Sequence, residues 1–137
     1  MSVNWVKVTA GFIFLMVILG CRFPFINDNR QDPRKAVTII IDLNRQQEFF
    51  DQLHKFAEAN DFSILIDTLS SSDKEFQIYM KREDIIISGV SLSNEYQIGF
   101  SDITNQPPAP ESVYDDLVRE LERFVSEVPG TTFSILK

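Results

Sequence analysis

The chain has 137 residues, 44% of them hydrophobic and 12% aromatic with twelve Phe, so it has room for one domain and enough apolar surface to order it. Twenty acids against thirteen bases leave a formal charge of −7, the wrong sign for gripping nucleic-acid phosphates without regard to sequence. One Cys and one His exclude an internal disulfide framework and the paired Cys or His motifs of zinc sites.

Residues 1–20 read as a targeting segment. Lys7 is the single side-chain cation before Arg22, and an uninterrupted run of apolar and small residues extends from Val8 to Gly20. As a helix this run reaches about 20 Å, short of the ~30 Å hydrocarbon core and suited to a signal-peptide h-region. It ends in Ile18-Leu19-Gly20-Cys21, and Arg22 and Pro24 stop its extension. This tetrad resembles the lipobox of bacterial lipoproteins. The resemblance implies cleavage before Cys21 and a diacylglycerol on its thiol. A small residue before the cut admits the backbone to a protease site, and the thiol is the nucleophile for acyl-lipid transfer. The lone Cys of the chain is the one this chemistry needs. The resemblance places the protein in the bacterial cell membrane or outer membrane, lipid-anchored and facing the periplasm or exterior. An uncleaved signal anchor with a buried Cys is the alternative.

Residues 21–35 follow as the lipidated Cys and a tether. They show neither helical nor strand periodicity, carry Pro24 and Pro33, and span roughly 20 Å r.m.s. as a flexible chain. Asp28 and Asp32 have the spacing of a partial calcium loop. The positions needing Gly and a bidentate acid hold Pro33 and Ile39, so a solvated linker is the simpler reading.

Residues 36–137 form the single domain. Val37 to Ile41 is β-branched and reads as a buried strand. Asn44 is placed as the cap of a helix, with Gln47 at the capping-box position. Phe49, Phe50, Leu53, Phe56 and Ala57 make its apolar stripe, about 120° wide, and Asn60 ends it. Alternation then predicts four strands, at Phe62–Asp67, Glu75–Lys81, Ile85–Val90 and Tyr96–Ser101. Ser70–Asp73, Arg82–Asp84 and Ser91–Glu95 supply the turns. Asn105–Pro110 is a stiff connector, and its Pro107-x-x-Pro110 spacing is best read as a spacer. A second helix runs from Glu111 to Val128, with Val113, Leu117, Leu121, Phe124, Val125 and Val128 as its stripe and Tyr114 and Val118 on the margin. Pro129-Gly130 ends it, and Thr131–Leu136 is a last strand. The fold class is α+β: a two-layer sandwich, mostly antiparallel, with both helices on one sheet face. Its order, β-α-β-β-β-β-α-β, resembles a ferredoxin-like plan enlarged by a hairpin.

No G-x-S-x-G elbow, H-E-x-x-H pair or phosphate-cradling glycine loop is present, and no cofactor or metal is expected. His54 falls at the edge of the first stripe and reads as a surface residue. As a general base it would need a nucleophile such as Ser71 or Ser72. Glu83-Asp84 reads as a solvated turn. Asp115-Asp116 suits the first turns of a helix, and Asp115 is spaced to pair with Arg119. The second helix carries Glu111, Asp115, Asp116, Glu120, Glu122 and Glu127 over about half its surface, a solvated face or a docking face for a basic partner. The expectation is therefore a lipid-anchored, non-enzymatic interaction or assembly module working with another envelope protein, with lipidation at Cys21. The alternatives are a small-ligand-binding lipoprotein and a small envelope hydrolase around His54.

Overall fold

The computed structural model describes residues 33–68 and 75–136. In chain order these form β1 (Lys35–Ile40), a 3-10 turn (Leu43–Arg45), α1 (Gln46–Ala59), β2 (Ser63–Thr68), β3 (Phe76–Lys81), β4 (Ile85–Leu92), β5 (Glu95–Asp102), α2 (Glu111–Val125) and β6 (Thr132–Ile135). Cys21 and its lipobox, Asp28, Asp32, Ser71 and Ser72 lie outside the described residues.

Every strand pair is antiparallel, and the sheet order is β2-β3-β4-β5-β1-β6. β2, β3, β4 and β5 lie side by side in chain order as a meander, as expected where neighbours in sequence pair. β1 closes the meander on β5 and is flanked on its other side by β6. Both helices lie on one sheet face and touch each other. The result is a two-layer α+β sandwich, the architecture that alternation in the strands and one stripe per helix imply.

Strand parity divides the residues cleanly. Val37, Ile39, Ile78, Met80, Ile85, Ile87, Tyr96, Ile98 and Phe100 point to the helices and have no exposed surface. Phe49, Leu53, Phe56, Leu121 and Val125 meet them from above with none either. The Phe49 ring lies 4.6 Å from that of Tyr96, and Phe56 meets Phe124 edge-on at 6.2 Å. Gly89 lets β4 and β5 approach closely. A Cβ there would stand 2.7 Å from the Gln97 carbonyl oxygen and 2.8 Å from Ile98 Cγ1.

Several local features differ from the sequence expectation. Ser91, Leu92 and Glu95, expected in a turn, extend β4 and β5 and leave Ser93-Asn94 between the strands. Asn44 caps nothing, because it lies inside the 3-10 turn; α1 starts after Arg45 with no side-chain cap, and Gln47 donates forward to Asp51 at 3.1 Å. Tyr114 and Val118, expected on the margin of α2, are buried at 0% and 5% exposure. That helix packs on the sheet and on α1 together, so its buried arc is wider than one contact requires. α2 also ends at Val125, although Val128 beyond it stays buried. Asn60 does end α1. Asp61 follows at φ 63°, and Phe62 N–H reaches back to the Ala57 carbonyl at 2.9 Å, a Schellman ending with Asp where Gly is usual.

Candidate functional site

Where the chain enters β1, a polar cluster joins β1, β5 and the first turns of α2. Arg34 Nη1 donates to Asp102 Oδ2 at 3.1 Å, and its Nη2 donates to Glu111 Oε2 at 2.9 Å. The same guanidinium lies over the Tyr114 ring, 4.7 Å from its centroid. The Tyr114 hydroxyl donates to Asp102 Oδ1. Lys35 Nζ bridges Glu111 at 2.8 Å and Asp115 at 3.0 Å. Burial, reinforced by the bond to Asp102, pushes the Tyr114 hydroxyl far above the usual tyrosine range. Lys35 first and Arg34 second hold the Glu111 carboxyl below its usual range. Bonds to Glu111, then to Asp102 or Asp115, in turn favour the charged forms of Arg34 and Lys35. Each charge here has a partner, so the cluster ties the entering chain to α2 and offers no poised acid or base.

The acidic face of α2 is largely matched by bases. Glu111 and Asp115 are taken by β1. Arg119 pairs with Asp116, three residues back, and not with Asp115 as the spacing suggested. Glu120 pairs with Arg123 at 2.8 Å, which lowers its pKa. Glu122 and Glu127 remain in solvent. Glu83-Asp84 borders an open depression of ≈ 420 Å³ lined also by Asp61 and Arg82. Arg82 there donates to Asp84 at 2.7 Å and to the Asn60 carbonyl at 3.1 Å, and stacks on Phe62. Its bond holds the Asp84 carboxyl below its usual range. His54 is exposed on α1. Pro107 and Pro110 are exposed on either side of buried Ala109, consistent with a spacer. Among the described residues no group of three or more His, Cys, Asp or Glu is placed to hold a metal.

The second sheet face has no described element packed over it. One row across it runs Leu65, Tyr79, Ser88, Gly99 and Ala36, ending where Leu136 N–H donates to the Ala36 carbonyl at 2.8 Å. The middle of the row is small and the ends are large. Ser88 is buried, and its hydroxyl finds no partner among the described residues. Ile40, Leu65, Leu92 and Leu136 carry exposures of 37%, 61%, 40% and 60% on this face. Composition could not reveal this surface, since the row exists only once the register of five strands is known. The Arg34 cluster was equally hidden, because its members come from three distant segments; the adjacent bases Arg34-Lys35 at the end of the tether were its one sequence signal. The chain matches no protein-family model and no curated protein.

Proposed function

We propose that the protein is a membrane-anchored bacterial envelope lipoprotein that works as a non-enzymatic interaction or assembly module with another envelope protein. The observation that carries this reading is Ile18-Leu19-Gly20-Cys21, a lipobox placed on the lone Cys at the end of an apolar run too short to span a bilayer. Two features of the folded domain support the interaction half. The space between sheet and helices is filled by large side chains such as Phe49, Phe56 and Tyr96, which favours surface contact over a ligand pocket. Four exposed aliphatic side chains share the sheet face over which no described element packs.

The test is Cys21→Ser in the full chain, expressed in a bacterium fed radiolabelled palmitate. The variant is expected to lose the label, accumulate as uncleaved precursor and fail to appear as the mature membrane form. Normal cleavage with unchanged membrane retention would overturn the lipoprotein reading.

A further inference from the structure

Among the described residues the sheet has two edges, β2 and β6, and they are not alike. β6 has four residues, whereas β2 has six and pairs with β3 along its whole length. Edge strands expose alternate N–H and C=O groups, and natural proteins blunt them with Pro, Lys, a bulge or shortness. Ser63-Ile64-Leu65-Ile66-Asp67-Thr68 has none of these. Its core-facing side presents Ile64 and Ile66, and its other side presents Leu65 between Ser63 and Asp67. Ile64 and Ile66 are half-buried at the rim of the core, and Leu65 is 61% exposed on the other face. Asp67 Oδ1 accepts from the Thr68 N–H at 2.9 Å, which closes off the run at its far end.

The strand also reads the same in both directions: a polar residue, Ile, Leu, Ile, a polar residue. We propose that β2 is the contact strand of a symmetric homodimer, pairing antiparallel with β2 of a second copy about a two-fold axis through Leu65. This register sets Leu65 against Leu65 of the second copy, Ile64 against Ile66, and Ser63 against Asp67. Leu65 faces itself, each Ile faces an Ile and each Ser63 faces an Asp67, so the strand is complementary to a second copy of itself, as an isologous contact demands. The two Asp67 carboxylates stand about 14 Å apart along the strands, beyond the Debye length of ~8 Å, so no like charges oppose. Ile–Ile pairs close the rim of each core, and the Leu65 pair joins the helix-free faces of the two described sheets into one surface. The axis is perpendicular to the sheet, so the helices of both copies lie on one side. A single strand pair is a small interface, so the dimer belongs to the weak, reversible class. It stands whether or not Cys21 carries lipid.

The experiment uses the full chain in detergent, with Ser63→Cys and Asp67→Cys variants oxidised separately and as an equal mixture. Facing Cα atoms in an antiparallel pair lie about 4.5–5.5 Å apart, within disulfide reach. The mixture is expected to give about tenfold more disulfide dimer than either variant alone, since only the mixture places the two thiols opposite each other. Leu65→Cys is expected to crosslink by itself. Leu43→Cys, nearly as exposed at 59% but in the 3-10 turn, is expected not to. The unmodified chain, whose single Cys is Cys21, sets the background. Leu65→Lys brings two ammonium groups together on the axis, so sedimentation is expected to show monomer with an unchanged circular-dichroism melt. A mixture that crosslinks no better than its parts, or a Leu65→Lys dimer as strong as the original, would overturn the proposal.

Discussion

The Tyr114 hydroxyl donates to Asp102 from a side chain with no exposed surface, under the Arg34 guanidinium. Removing it leaves Asp102 with Arg34 as its charged partner but takes away one hydrogen bond to a carboxylate in a partly dry site. Such bonds are worth about 1.5–3 kcal/mol, so Tyr114→Phe is expected to lower stability by that amount in urea titration. Glu111 is exposed, and its contribution shows in pH dependence. Its folded pKa is depressed below the usual 4.5, so its stabilisation is fully present above that value and is lost as pH falls through the folded pKa. Lys35 has the opposite sign: its stabilisation holds below 10.5 and fades as pH rises through its raised value. The melting temperature of Glu111→Gln is therefore expected to fall less steeply than that of the parent as pH drops below about 4.5. An equally steep acid limb would show that the bond to Lys35 adds nothing. His54 could be read as a surface residue from its place beside the stripe, and it is exposed. Tyr114 could not, because its partners Arg34 and Asp102 come from segments that helix periodicity does not report.

Element boundaries depend on which local hydrogen bond prevails. Asn44 looks like a cap because its side chain suits one. The backbone there winds first into a 3-10 turn, where Arg45 N–H donates to the Asp42 carbonyl at 2.9 Å, and the cap is passed over. At the other end of α1 the stop signal and the structure agree, since Asn60 Nδ2 itself donates to the Phe56 carbonyl at 2.9 Å. The strands were the most legible elements, because alternation is enforced by a dry face and a wetter one. Their order was not, since alternation reports which side a residue faces and not which strand lies beside it. Gly89 is a consequence of that unseen neighbour. Gly89→Ala would push a methyl against the Gln97 carbonyl, and it is expected to cost about 1–3 kcal/mol through displaced backbone. Away from a clash, replacing Gly by Ala favours an ordered strand, so a lowered melting temperature for Gly89→Ala would report the steric conflict itself.

For the molecule as a whole, the core joins α1 and α2 over one sheet face, and Phe56 and Leu121 sit inside it with no exposed surface. Phe56→Ala is expected to cost about 3–5 kcal/mol and Leu121→Ala about 2–5. A domain of this size has about 5–15 kcal/mol in total, so the double variant is expected to be partly unfolded in buffer. His54→Ala, one position off the stripe, is expected to cost under about 1 kcal/mol. Urea titration of the parent and these four variants checks each expectation, and a His54→Ala loss as large as that of Phe56→Ala would mean a structural role for the imidazole. The two-layer class followed from helix stripes and strand alternation alone. The row of residues on the second sheet face and the Arg34 cluster did not, as each is assembled from residues that only the sheet register brings together.

The position of β1 also decides how the domain bears a mechanical load. The chain enters at Lys35, and β1 is held on both sides, by β5 and by β6. A pull on the entering chain against the Ser93 turn, at the far end of β5, slides two antiparallel strands past each other. All the rungs between them then share the force, and yielding requires many to break at once. A pull between the entering chain and Leu136 acts differently. These two points sit side by side at one end of adjacent strands, where Leu136 N–H meets the Ala36 carbonyl. That ladder opens one rung at a time, at a much lower force. Rupture under load is governed by the unfolding barrier and not by equilibrium stability, so one fold presents a strong direction and a weak one.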